Sequence, residues 1–339
     1  MATRLDELDL PEVDLFGLDR AAAQAVLTEA RKKHWVAKNV FGYGVSRYED
    51  VVAILRDRRW HSALAWLANP EAAMDTPNDS GSILTMEGPN HSRLRRLAAP
   101  AFTPKSADRL RPFMRDVING LVDTFVADGK CELVEDVCEP YPIPIICELL
   151  GAPKQDWKLF SNWATDIFRI FNGDFENDAP LIQRASAELD AYVRELIAVR
   201  RSQPAADLLS DMIAAEEAGD RMSTNELVMM TQATLMAGTD TTRNQLACSV
   251  ALFTEHPEQW ALLAERPELA AGAVDETMRT LGAVRCTSRI ASESIEYRDV
   301  IFPKGTRLGA SLANAHPDDA LFTDPSPPHP TSDSAPTTQ

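Results

Sequence analysis

The chain has 339 residues, 45% of them hydrophobic, enough to bury a substantial core in one large domain or two. Lys and Arg number 34 against 51 Asp and Glu, and the net charge of -17 disfavours nucleic acid or an anionic membrane as partner. No run approaches the ~18 apolar residues of a membrane span, the N-terminal MATRLDELDLPEVDLFG lacks an apolar signal core, and the five cysteines contain no CxxC pair. These features predict a soluble, cytoplasmic protein with neither a disulfide framework nor a zinc site.

In chain order, Asp19 to Lys33 carries a helical pattern, and HWVAKNV with GYGVSRY alternates around a Gly-containing turn as a small hairpin. YEDVVAILRD returns to helix. From there to about Thr280 the signals are almost all helical, through PNHSRLRRLAA, SADRLRPFMRDVINGLVDTFVAD, KQDWKLFSNWATDIFRIF, LIQRASAELDAYVRELIAVRRS and PAADLLSDMIAAEEAG. Short β signals reappear in CTSRIASES, IEYRDVIF and GTRLGAS. The pattern predicts a mainly α protein with a minor β region built from both ends of the body.

The longest predicted helix opens at Ser223, whose spacing to Glu226 has the form of a capping box, and should stop before Pro257. That is about 30 residues, or roughly 45 Å at 1.5 Å per residue. Its middle reads AGTDTT, Ala237 to Thr242, where Gly, Asp and Thr weaken an otherwise apolar helix. Gly238 leaves room for a bulky group against the backbone, and Thr241 and Thr242 can return their hydroxyls to the carbonyls of Ala237 and Gly238. An acid, Asp240, beside a hydroxyl next to such a gap suits proton transfer to a ligand held there. The hexapeptide fits equally a kinked core helix whose Asp faces solvent.

Glu276 and Arg279, in DETMRT, share a helix face, a spacing that by itself describes an ordinary surface ion pair. In GPNHSRLRR, Pro89 can open a helix on which His91 and Arg95 lie one turn apart and can hold a carboxylate or phosphate. Arg289, in CTSRIA, is a further isolated cation on a predicted strand. Each of the three cations is also consistent with plain surface charge.

Taken in this order, AGTDTT, ETMR and HSRLR, with VSRYEDVVAILRD, LFTEHPEQW, IFPKGTRLG and ANAHPDDALFTDP, resemble the cytochrome P-450 family in its soluble bacterial form, from about Leu10 to Pro325. The resemblance implies a cytochrome P-450-like helical fold, haem b as cofactor, and oxidation of an apolar small molecule with dioxygen and electrons from a donor such as a ferredoxin. It implies that Asp240 and Thr241 are the acid and alcohol that deliver protons for oxygen activation. Ala237 and Gly238 would pack over the haem face, and His91, Arg95 and Arg289 would bind propionates. Glu276 and Arg279 would be structural. Arg93 and Arg96 would stay outward, where an acidic electron carrier can dock.

The family takes its axial ligand from a Cys in a Phe-x-x-Gly-x-x-x-Cys-x-Gly loop beyond the stretch matching ANAHPDDALFTDP, and here no Cys follows Cys286. Cys131, Cys138, Cys147, Cys248 and Cys286 read as small hydrophobes away from that position. The expectation is a fold incomplete at its C-terminus, spanning residues 1–325 of a truncated or frameshifted gene, without the axial ligand and without monooxygenase activity. Residues 326–339 are Pro-, Ser- and Thr-rich and predict a disordered tail. The alternative is a non-catalytic helical protein that binds apolar ligands or a partner chain. By the resemblance, residues 61–83 and 167–183 would line the substrate pocket, with Trp66, Leu67, Phe168, Phe171 and Phe175 supplying apolar surface.

Overall fold

The computed structural model describes residues 2–15, 17–64, 82–171, 174–218 and 222–315. In chain order the elements are β1 (Thr3–Arg4), α1 (Arg20–Lys33), β2 (Val36–Asn39), β3 (Gly42–Val45), α2 (Tyr48–Arg56) and β4 (Trp60–Ser62). There follow α3 (Gly88–Ala98), α4 (Pro104–Asp123), α5 (Pro142–Leu150), α6 (Trp157–Phe168), α7 (Phe175–Ser202), α8 (Leu208–Glu217), α9 (Thr224–Ala237) and α10 (Asp240–Glu255). The last are α11 (Pro257–Glu265), α12 (Ala270–Leu281), β5 (Cys286–Ala291), β6 (Ile295–Tyr297), β7 (Val300–Phe302), β8 (Arg307–Ser311) and α13 (Leu312–Ala315). The mainly α composition with a minor β region is as the periodicity predicts. Trp66, Leu67, the side chain of Phe175 and the segment at residues 326–339 lie outside the described residues.

The chain divides into two compact units, residues 1–78 with 248–339, and residues 79–247. The first holds the sheets. Strands from both ends of the chain alternate in the order β2-β3-β8-β5-β4, and β1-β7-β6 form a smaller sheet. The β2–β3 hairpin pairs Val36 with Val45 and Asn39 with Gly42. Gly42 has φ 130°, and a Cβ there would meet the Arg307 carbonyl oxygen at 2.8 Å, so this position needs glycine. Strand β4, only three residues long, gave no periodic signal. Alternation sends Val36, Val45, Leu308 and Ala310 inward, together with Val51 and Ile54 of α2. Trp35 and Trp60 set their edges against Phe302, at 6.0 and 5.3 Å between centroids. Asp50 of α2 is fully buried and accepts hydrogen bonds from the Tyr297 hydroxyl at 2.8 Å and Arg298 Nε at 2.5 Å, which ties the β6–β7 turn to the helix.

The second unit is helical, with a core of Phe160, Leu189, Val193, Leu209, Leu227 and Leu235, all at most 3% exposed. Helix α6 meets α7 through an edge contact between Phe160 and Tyr192, at 5.2 Å. The Tyr192 hydroxyl donates to Asp156 Oδ2 at 2.6 Å. Helix α9 opens with the expected capping box, Ser223 accepting from the Glu226 N–H while the Glu226 carboxylate accepts from the Ser223 N–H. One expectation is corrected: the single long helix is two, α9 and α10, broken at Gly238 and Thr239. The Thr239 N–H reaches back three residues to the Met236 carbonyl at 3.2 Å, and its hydroxyl donates to the same oxygen at 2.7 Å, so this residue competes with the regular ladder.

Candidate functional site

The break leaves a defined surface. Ala237, Thr241, Thr242 and Asn244 are exposed while Thr239 is buried, so a strip with Ala237 and Thr241 one turn apart is open. The Thr241 hydroxyl donates to the Ala237 carbonyl over 3.4 Å, a long and weak bond that leaves it available to another acceptor. Gly238 faces elsewhere. A Cβ on it would lie 2.7 Å from Cβ of Ile146 on α5, so the space at this glycine is filled by Ile146.

Asp240 is not free. Its Oδ1 accepts from Arg243 Nη2 at 2.7 Å and Nε at 3.1 Å, and Arg243 also donates to the Thr165 hydroxyl of α6 at 3.3 Å. The side chains of Asp240 and Arg243 are 26% and 19% exposed, so this pair sits at the edge of the protein interior. The i, i+3 spacing of Asp240 and Arg243 is the sequence signal for this contact, and it lies one residue beyond the hexapeptide.

Helix α3 starts at Gly88, with φ 68°, followed by Pro89, and is anchored by buried Leu94 and Ala98. His91 is half-buried and Arg95 exposed. Neither side chain has a hydrogen-bond or ion-pair partner among the described residues. Arg93 behaves differently from the expectation that it stays outward. It donates through both Nη atoms to the Glu226 carboxylate of α9, and this bond, more than any other contact, holds that carboxyl below its ordinary range. The physical reason is that Glu226, as the capping residue of α9, presents its second oxygen to α3. Arg96 is exposed.

In the first unit, Glu276 and Arg279 form a bidentate pair at 2.6 and 2.8 Å with side chains 4% and 7% exposed. This is a buried structural pair, and it corrects the surface ion pair that the spacing alone describes. Arg289 on β5 is half-buried and donates to the Thr287 hydroxyl at 3.0 Å and the Ser288 carbonyl at 3.1 Å.

The cysteines are all free thiols. Cys147 is fully buried, and desolvation pushes its thiol up to about 12. Cys138 is also buried and raised for the same reason. No cluster of three or more His, Cys, Asp or Glu able to hold a metal occurs among the described residues. The haem-binding features fit on one side only. The open strip at Thr241 and the unpartnered His91 and Arg95 suit a flat group carrying carboxylates, whereas the buried thiols do not suit a thiolate ligand.

Comparison with known proteins gives the family. The cytochrome P-450 family model matches residues 43–331. The chain is 35% identical to nocardicin C N-oxygenase of Nocardia uniformis subsp. tsuyamanensis over 95% of its own length and 81% of the relative's. It is 36% identical to mycinamicin IV hydroxylase/epoxidase of Micromonospora griseorubida, over 83% and 70% of the two chains. The crystal structure of CalO2 superposes with a TM-score of 0.86 at 26% identity, covering 97% of this chain and 84% of that one. The chain therefore belongs to the cytochrome P-450 family, the haem-thiolate monooxygenases, whose members bind haem b.

Proposed function

We propose that this chain holds haem b against the strip formed by Ala237 and Thr241, with His91 and Arg95 on propionates and an apolar small molecule beside it; Gly238, filled by Ile146, has no part in it. An acidic ferredoxin supplies electrons and docks on exposed Arg96. The observation that carries the reading is the exposed Thr241 hydroxyl beside a helix break, one residue from an acid.

Haem, when bound, supplies the activation of dioxygen. The residues of this chain manage protons. The Thr241 hydroxyl can leave its weak bond to Ala237 and donate into the open strip. Asp240 can pass a proton taken from solvent to the Thr241 hydroxyl by swinging its carboxyl away from Arg243, while Thr165 retains the guanidinium.

Titration of the chain with haem, followed by absorbance, tests the binding half. Arg95→Ala and His91→Ala should each weaken binding by about fivefold to tenfold, the loss of one charge-assisted hydrogen bond, while Arg96→Ala leaves it unchanged. Equal weakening by Arg96→Ala, or no change in the first two, contradicts the assignment.

The cysteines favour a second reading for the chain as it stands: a protein that binds haem or apolar ligands without oxidising them. Thiolate donation is what drives oxygen cleavage in the family, and burial keeps Cys138 and Cys147 protonated.

A further inference from the structure

The first unit contains a cavity of about 180 Å³ between α1 and the five-stranded sheet. Its floor follows from strand register. Ala37 pairs with Gly44, Gly44 with Gly309, and Gly309 with Ser288, so small residues cross four strands on one face. On that face Ser311 and Cys286 form the neighbouring pair, and the Cys286 sulfur lies 3.4 Å from where a Cβ on Gly309 would stand. The roof is α1, through Ala23, Leu27 and Ala30. Helix α1 does not close down onto this face of small side chains, and the cavity is the space left between them.

The wall chemistry is one-sided. None of the twenty residues that line the cavity is Asp or Glu, in a chain that carries 51 of them. Asp14, between the lining residues Val13 and Leu15, is exposed and outside the wall. Two guanidinium groups are at the rim. Arg31 is fixed by donation from Nη1 to the Asn314 carbonyl at 3.2 Å. Arg285 is exposed, its carbonyl accepts from the Ala313 N–H at 3.0 Å, and its guanidinium has no hydrogen-bond or ion-pair partner among the described residues. The rest of the wall is mainly apolar, from Val13, Leu27 and Trp35.

We propose that this cavity binds a short amphiphilic monocarboxylate, its carboxylate at Arg285 and Arg31 and its apolar chain between α1 and the sheet floor. Size sets the class. At ~30 Å³ per water the cavity holds about six waters, well under the ~300 Å³ of pockets for drug-sized ligands, so the occupant has on the order of six to eight non-hydrogen atoms. Arg289 and Thr287 alternate to the opposite face of β5, beside Leu308 and Ala310, so the sheet separates the cavity from the cation that the resemblance assigns to a propionate. Guanidinium pairs select carboxylates by their two-pronged geometry, and the apolar wall rewards a hydrocarbon body.

Cys286 reports occupancy in the 339-residue chain, because it stands in the cavity wall at an exposed position, with its thiol raised by partial burial, and Cys131, exposed in the other unit, serves as internal control. Alkylation by N-ethylmaleimide is followed peptide by peptide with mass spectrometry. Saturating hexanoate should slow alkylation of Cys286 by about threefold or more and leave Cys131 unchanged, since a filled cavity blocks the thiol sterically. Hexan-1-ol and inorganic phosphate at equal ionic strength should give no protection. Arg285→Gln, at an exposed position, should raise the half-protecting hexanoate concentration by about fivefold or more. Protection by the alcohol or by phosphate equal to that by hexanoate, an unprotected Cys286, or an unaltered concentration dependence in Arg285→Gln overturns the proposal.

Discussion

The Glu226 carboxylate accepts from the Ser223 N–H, at 2.7 Å, and from both Nη atoms of Arg93. One side chain thus caps α9 and fastens α3 to it. Arg93 is a third exposed, so screening limits the pair to about 1 kcal/mol. Arg93→Met should lower stability in urea by that amount at pH 7. Glu226 is depressed in the folded state by Arg93, so the stabilisation is complete above the unfolded carboxyl value near ~4.3 and disappears as pH falls through the lower folded value. The wild-type advantage over Arg93→Met should therefore shrink only below about pH 4. An advantage that is constant down to acid pH would show that the contact is packing and not charge. This pairing was not legible in the sequence, because the partners are 133 residues apart and nothing in local periodicity joins them.

At the scale of elements, the break between α9 and α10 is held by packing as well as by weak propensity. Alanine is the better helix former by about 1 kcal/mol, yet a Cβ at Gly238 would stand 2.7 Å from Ile146 Cβ. Gly238→Ala should therefore destabilise the chain by about 1–3 kcal/mol through overpacking. In a double-mutant cycle, Gly238→Ala should cost less on an Ile146→Ala background than on the wild type, giving a coupling of about 1 kcal/mol or more. A neutral or stabilising Gly238→Ala would mean that Ile146 yields freely and that the break is set by local sequence alone. The weakness of AGTDTT was readable from residue types, as were the capping box at Ser223, the β2–β3 hairpin and the return of the sheet at GTRLGAS. The complete interruption was not, because it depends on Ile146 and on Thr239 bonding back to Met236. Likewise Glu276 and Arg279 could be placed on one face by their spacing, but their burial comes from packing that no i, i+3 rule encodes.

For the whole molecule, the acidic balance and the cations that stand out against it frame the proposed function. No helix among the described residues is long and apolar enough to cross a membrane. Arg96 is exposed on α3 in a chain of net charge -17, so an acidic partner meets a local exception to the prevailing sign. Family membership rests on motifs spread along the chain, and the fold agrees with them over 97% of its length. The chemistry, by contrast, turns on one atom, a sulfur able to donate to iron as thiolate. Cys138 and Cys147 are buried and raised, and the remaining three cysteines lie in no cluster of metal-ligating side chains among the described residues. The purified 339-residue chain should be loaded with haem, reduced, and exposed to carbon monoxide while its absorption spectrum is recorded. The account predicts haem uptake that depends on Arg95 and a spectrum without the red-shifted band of thiolate ligation. A stoichiometric thiolate band, lost on replacing one of the five cysteines by serine, would contradict it.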